Sequence, residues 1–223
     1  MTTTVLLPTC LAGLRPEAFS LIEADPADVI ALCRSLWEAA VRDGWVAWHQ
    51  LPCRFDMSAV DRYAGRVQFG VLASSASRPG QTCLWSAEAD RADGLLTMIA
   101  IRLRCRVIST ALCHDWQDAD AVGELVVRQG AAATRPRIVR VMRNDHGRLD
   151  YFEAGEPLDF EQPAHYAKRL LKHRVSEDVL MSYWHELGVD VAAERADWSG
   201  RGGIAYVRAN SVPIAAGAAL QAA

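Results

Sequence analysis

The stretch "YFEAGEPLDFEQPAHYAKRLLKHRVSEDVLMSYWHELGVDV", Tyr151 to Val191, sets Glu153, Glu156, Asp159 and Glu161 beside His165, His173 and His185 in the chain. Carboxylates and imidazoles are the groups of general acid–base chemistry and of metal ligation. A metal site is the weaker reading. There is no HExxH, and the three histidines are spread over two predicted helices, where amphipathic faces account for them. An acid–base pair among Glu156, Asp159 and Glu161 fares little better. Gly155, Pro157 and Pro163 mark a turn-rich connector, and Glu161 precedes a predicted helix start, where the dipole alone favours a carboxylate. Nucleophile motifs are missing too: the chain contains no GxSxG, and its cysteines stand in no catalytic context.

Two further features carry chemistry. "DWSGRGGIAY" places Gly200, Gly202 and Gly203 around Arg201, a composition that can form a backbone nest for an anion. It has neither a GxGxxG spacing nor the lysine of a P-loop, and a strand-like run follows it. The other feature is charge segregation. Arg128, Arg135, Arg137, Arg140 and Arg143 occur with no acid between them, followed by Asp145, Asp150, Glu153, Glu156, Asp159 and Glu161 opposed only by Arg148. The two runs either cancel across neighbouring strands or leave one basic patch and one acidic surface. Such a surface suits a basic protein partner, a toxin or nuclease domain for example.

The elements that must position these groups follow from periodicity. Asp25 and Pro26 open a helix with Val29, Ile30, Cys33, Leu36, Trp37 and Ala40 on one face, and Gly44 ends it. "WVAWHQL" reads as a strand, and "VQFGVLAS" with "TCLWSA" as a hairpin closed by "SSASRPGQ". "EADRADGLLTMIAIRLRCR" is a second helix. "RVISTAL", "VGELVVRQ", "RIVRVMR" and "RLDYFEAG" then form an antiparallel meander in the middle of the chain. "AHYAKRLLKHR", with Tyr166, Leu170 and Leu171 inward, and "VLMSYWHELG", capped by Ser176 with Leu180, Tyr183, Trp184 and Leu187 inward, form a helical pair near the C-terminus. "GGIAYVR" reads as a final edge strand. The fold class is therefore α+β: a mostly antiparallel sheet of about five to seven strands with helices packed on it. Residues 1–24 read as an extension, 25–208 as a single domain and 209–223 as a loose tail.

Composition bounds the function classes. A net charge of −3 gives no basic field for nucleic acid. The N-terminal residues lack a charged, apolar secretion signal, and no apolar run is long enough to span a bilayer. Cys10, Cys33, Cys53, Cys83, Cys105 and Cys113 show no CxxC spacing, so free thiols in a reducing cytoplasm are expected. No motif calls for a cofactor or metal.

The meander followed by Gly155-Glu156-Pro157-Leu158-Asp159-Phe160-Glu161, then Tyr166 with Arg169 and Leu187-Gly188-Val189-Asp190, resembles small bacterial immunity proteins of polymorphic and contact-dependent toxin systems. The resemblance spans about Arg106 to Asp190 and rests on structural residues. It implies a cytoplasmic antidote, without chemistry of its own, that binds and blocks a toxin domain through Asp145, Asp150, Glu153, Glu156, Asp159 and Glu161. The rival reading is a small hydrolase or nucleotide-handling enzyme built on Glu161, His165 and the Gly200–Gly203 loop. A third is a structural or phage-derived protein.

Overall fold

A computed structural model describes residues 4–6, 17–50, 53–56, 67–86, 92–112, 116–117, 121–130, 134–195, 201–209 and 220–222. The strands are β1 (Thr4–Leu6), β2 (Glu17–Ile22), β3 (Val46–Gln50), β4 (Cys53–Asp56), β5 (Val67–Ser74), β6 (Thr82–Ser86), β7 (Val107–Leu112), β8 (Val122–Arg128), β9 (Arg137–Arg143), β10 (Leu149–Ala154), β11 (Ile204–Ala209) and β12 (Leu220–Ala222). The helices are α1 (Pro26–Leu36), α2 (Glu38–Arg42), α3 (Asp93–Leu103), α4 (Glu177–Glu186) and α5 (Val191–Arg195). Nine strands form one antiparallel sheet in the order β10-β9-β8-β7-β2-β6-β5-β11-β3, and β1, β4 and β12 form a small second sheet. The class is α+β, and the predicted meander is the run β7 to β10.

Both faces of the large sheet carry a core. Phe19, Leu21, Val71, Cys83, Trp85, Ile108, Leu125, Val139 and Val141 meet Val179, Leu180, Tyr183 and Trp184 of α4 on one face. Ile22, Leu72, Leu84, Val107, Ile204 and Tyr206 meet Val29 and Cys33 of α1 and Leu96 and Ile99 of α3 on the other. Two covered faces explain why β6 and β8 are buried at every position. Burial fades towards one edge: β9 alternates, and β10 has no fully buried residue. Trp184 is the largest anchor of α4. It lies edge-on to Phe19 at 4.9 Å, and its indole N–H donates to Thr110 Oγ1 at 3.0 Å.

Several expectations need correction, the first being the strand count: the large sheet has nine strands where five to seven were expected. β2 is a central strand, so the domain begins before residue 25, and its end is not a free tail throughout, because residues 220–222 pair with β4. β11 lies inside the sheet between β5 and β3, and β3 takes the edge. Its Ile204, Ala205 and Tyr206 are buried in succession, the pattern of a strand covered on both faces. The first helix breaks at Trp37, whose ring instead packs on Tyr206 at 4.9 Å and Trp48 at 5.4 Å. The Tyr206 ring occupies the space a Cβ at Gly70 would need. Residues 164–174 form no α-helix. They make two single 3₁₀ turns, Pro163–His165 and Leu171–His173, so the C-terminal helical pair is α4 with α5. Ser176 does occupy the N-cap position of α4, but its side chain makes no capping bond, whereas Asp25 Oδ1 accepts from the Ala27 N–H at 2.8 Å.

Candidate functional site

The sheet ends at β9 and β10, and the segment 155–175 wraps that end. On the face shared with α3, Ile138, Arg140 and Met142 of β9 stand between Val126, Glu124 and Val122 of β8 and Ala154, Phe152 and Asp150 of β10. No described helix reaches the outer part of this face. Phe152 is 53 % exposed and Met142 40 %. A groove of about 690 Å³ runs between α3 and these strands, with Thr97, Met98, Ile101, Val126 and Ile138 in its walls. Its charges are matched internally. Arg140 is ion-paired with Glu124, and Arg128 with Asp93, while Arg128 also donates to Ser109 Oγ at 2.8 Å and Thr97 Oγ1 at 3.1 Å.

The opposite face is organised by Arg137. Its Nε donates to Glu161 Oε1 at 3.0 Å and its Nη2 to Glu161 Oε2 and Glu153 Oε1, both at 2.8 Å, while Nη1 donates to the Gly155 carbonyl at 2.7 Å. Glu161 also accepts from the Leu158 N–H at 2.9 Å and the Tyr166 hydroxyl at 2.6 Å, and the Tyr183 hydroxyl donates to that of Tyr166 at 2.9 Å. Burial opposes charge on Arg137, but its hydrogen bonds to Glu161 and Glu153 outweigh it and hold the guanidinium ionised. The Tyr166 phenol is pushed far up, first by burial and then by its bond to Glu161. This cluster is a structural tie between β9, β10 and the connector. A general base needs a lone pair free for substrate, and both oxygens of Glu161 are engaged inside the fold.

The six acids expected to form one surface are therefore divided. Glu161 is buried beneath the connector and leaves the surface altogether, a correction to the expected patch. Glu153 is committed to Arg137 and to the Tyr151 hydroxyl at 2.6 Å. Asp150 accepts from Asn144 Nδ2 at 3.0 Å. Asp145, Glu156 and Asp159 remain exposed. The two charge runs cancel only in part. Arg137 takes Glu153 and Glu161, but Arg128 and Arg140 find their acids on α3 and β8, and Arg143 donates to the carbonyls of Gly147 and Trp116.

The enzyme constellation is not assembled. His165 Nε2 bonds to Gln162 Oε1 at 2.9 Å, and its ring lies against Tyr183. Partial burial, then Lys168, lowers its pKa. Gly200 lies outside the described residues. Arg201 is no free anion ligand: Nη1 donates to Glu194 Oε2 at 2.6 Å and to the Ser74 carbonyl at 2.8 Å. Glu194 is held down to about 2. Burial is the largest influence and acts upward, but the Ser75 hydroxyl, the N–H groups of Ser77 and Ala76, and Arg201 overcome it. The arginine expected to bind an external anion thus serves a buried internal one. Among the described residues, no group of His, Cys, Asp and Glu gathers to hold a metal.

Sequence reasoning passed over the segment Lys168–Arg174. The signal was present: from Gln162 to Ser176 there is no acid, while Lys168, Arg169, Lys172 and Arg174 are cationic. It was read as one face of a helix, which hid the projection of its side chains into solvent.

Comparison with protein-family models, with curated proteins and with solved structures gives no match. Among the described residues, no helix is long and apolar enough to cross a membrane.

Proposed function

We propose that this chain is a non-enzymatic protein-binding module, an immunity protein that binds and neutralises a bacterial toxin domain in the cytoplasm. The observation that carries the reading is the uncovered end of the sheet, where Phe152 and Met142 stand exposed on ordered strands beside a groove. Large apolar side chains fixed on a rigid scaffold and bordered by charge are the usual anatomy of a protein interface. Their neighbours Arg140 and Glu124 neutralise each other, so a partner can cover them without stranding a lone charge. Glu161 and Arg201, two of the groups on which the rival hydrolase depended, have their hydrogen bonds taken up inside the fold, which supports the binding reading over it. Cys33, Cys83 and Cys105 are free and buried, in keeping with a reducing compartment.

The test is co-expression with any toxin domain that a neighbouring gene proves to encode, read as growth. The wild-type chain is expected to relieve toxicity, and Phe152→Asp to lose that protection while keeping its unfolding midpoint. Absence of protection, or a hydrolytic activity that His165→Ala removes, overturns the proposal.

A further inference from the structure

The segment between Tyr166 and Val175 is an anchored loop. Tyr166 is 6 % exposed and Val175 1 %, so both ends are sunk in the core. A Cβ at Gly123 would collide with the Val175 carbonyl, so β8 itself presses on the exit. Inside these anchors, Arg174 Nε donates to the Lys168 carbonyl at 2.8 Å, and the His173 N–H to the Leu170 carbonyl at 2.9 Å. The Arg174 guanidinium lies over the Tyr151 ring at 4.6 Å, and the Leu171–His173 turn packs beside edge strand β10. Lys168, Arg169 and Lys172 are exposed and make no ion pair among the described residues, and Leu170 projects from their midst at 56 % exposure.

We infer that the loop 168–172 is a preformed docking element for a carboxylate-rich face of a partner protein, with Leu170 as its apolar anchor and Lys168, Arg169 and Lys172 around it. The inference rests on the neutralising-module reading and names the contact chemistry of the toxin domain. Its partner face is acidic, the reverse of the basic partner that the acidic run suggested. A loop already closed by its own hydrogen bonds loses little freedom on binding. An exposed leucine flanked along the loop by cations without an ion pair among the described residues has the composition of a protein contact, an apolar anchor with charge beside it.

Two other occupants fit less well. A nucleic acid would want exposed rings for its bases, but Tyr166 is buried and Tyr151 lies under Arg174. A membrane would gain only one leucine and three cations, a smaller cluster than lipid-binding segments carry.

The experiment is fluorescence anisotropy on the full chain with a labelled decapeptide of alternating glutamate and leucine. A single-stranded oligonucleotide and phosphatidylserine vesicles serve as comparison probes. The peptide is expected to bind, and the reversal K168E/R169E/K172E to weaken it by about tenfold. Raising salt from about 50 to about 300 mM should weaken the wild type and spare the variant. Leu170→Ser should weaken the peptide while keeping the salt dependence. The milder K168Q/R169Q/K172Q guards against any loss of fold and should fall between the two. Absence of peptide binding, equal binding by wild type and reversal variant, or tighter binding to oligonucleotide or vesicles overturns the inference. The assay needs no toxin, so its failure leaves the co-expression result standing, and failed co-expression leaves the peptide result standing.

Discussion

Arg128, Arg137, Arg140 and Arg143 lie on two neighbouring strands, and each is met inside the fold by a carboxylate or a carbonyl. Lys168, Arg169 and Lys172 lie on the loop that wraps the same edge of the sheet, and none is met by an acid among the described residues. The difference follows from desolvation. A guanidinium 3 % exposed, as Arg137 is, persists only where its hydrogen bonds are answered. A cation in water needs no such answer, and its position is free to serve something outside the chain. The first set is architecture, and the second is where a functional reading belongs.

The comparison breaks most directly at the buried set. Glu161→Ala should leave Arg137 charged in the interior with only the part-exposed Glu153 as its counter-ion, at a cost of about 3–5 kcal/mol in urea unfolding. Replacing both partners by leucine should restore much of that loss; if it does not, the pair contributes more than mutual neutralisation. Trp184→Ala, an apolar yardstick from the same core, should cost a similar ~3–5 kcal/mol.

A smaller effect is expected at the second buried pair. The folded carboxyl of Glu194 lies at about 2, below its ordinary 4.5, so its contribution is complete above pH 4.5 and disappears as pH falls towards 2. The shift corresponds to roughly 3 kcal/mol. Urea midpoints measured down that window should decline in the wild type and less steeply in Glu194→Gln. Parallel curves would show that Glu194 is not the group responsible.

Cys83 reports on the same place. Its Sγ stands 3.8 Å from Arg201 Nη1, and burial first, then the charge of Glu194, pushes the thiol up to about 12. A thiol reagent near pH 8 should leave it unmodified in the native protein and react with all six cysteines after denaturation. Faster native labelling of Cys83 in Glu194→Gln would sharpen the picture of a clamp that opens.

The smallest effect on stability should come from the loop. K168E/R169E/K172E is expected to keep the unfolding midpoint of the wild type, because exposed charges contribute little to folding. A large shift in that midpoint would erase the distinction between the two sets.

How much of this was legible depended on range. The β7–β10 meander could be read because its strands are joined by short connections and β9 alternates Ile138, Arg140 and Met142 against Val139 and Val141. β2 escaped because six residues, "EAFSLI", gain their identity from β6 and β7, which lie far along the chain. Residues 164–174 carried helical spacing at Tyr166, Leu170 and Leu171, yet Pro163 and the anchors at Tyr166 and Val175 overrode it, and Leu170 turned outward. Glu161 read as a surface acid because its local signals were prolines and a helix start. Its true partner lies 24 residues earlier, on a strand. Arg201 misled for another reason: the glycines around it advertise an external anion, while the anion it meets is the nearby Glu194, itself held by the distant Ser75–Ser77 turn.

The two anchors of the loop carry a consequence for how this protein changes over generations. With Tyr166 and Val175 holding the ends, substitutions at Lys168, Arg169, Leu170 and Lys172 touch no core residue and should combine nearly additively with changes elsewhere. Under the proposed docking role, a lineage could therefore rewrite what the loop binds through a few codons, one at a time, with every intermediate still folded. Selection acting on that short stretch would be uncoupled from selection acting on the sheet beneath it.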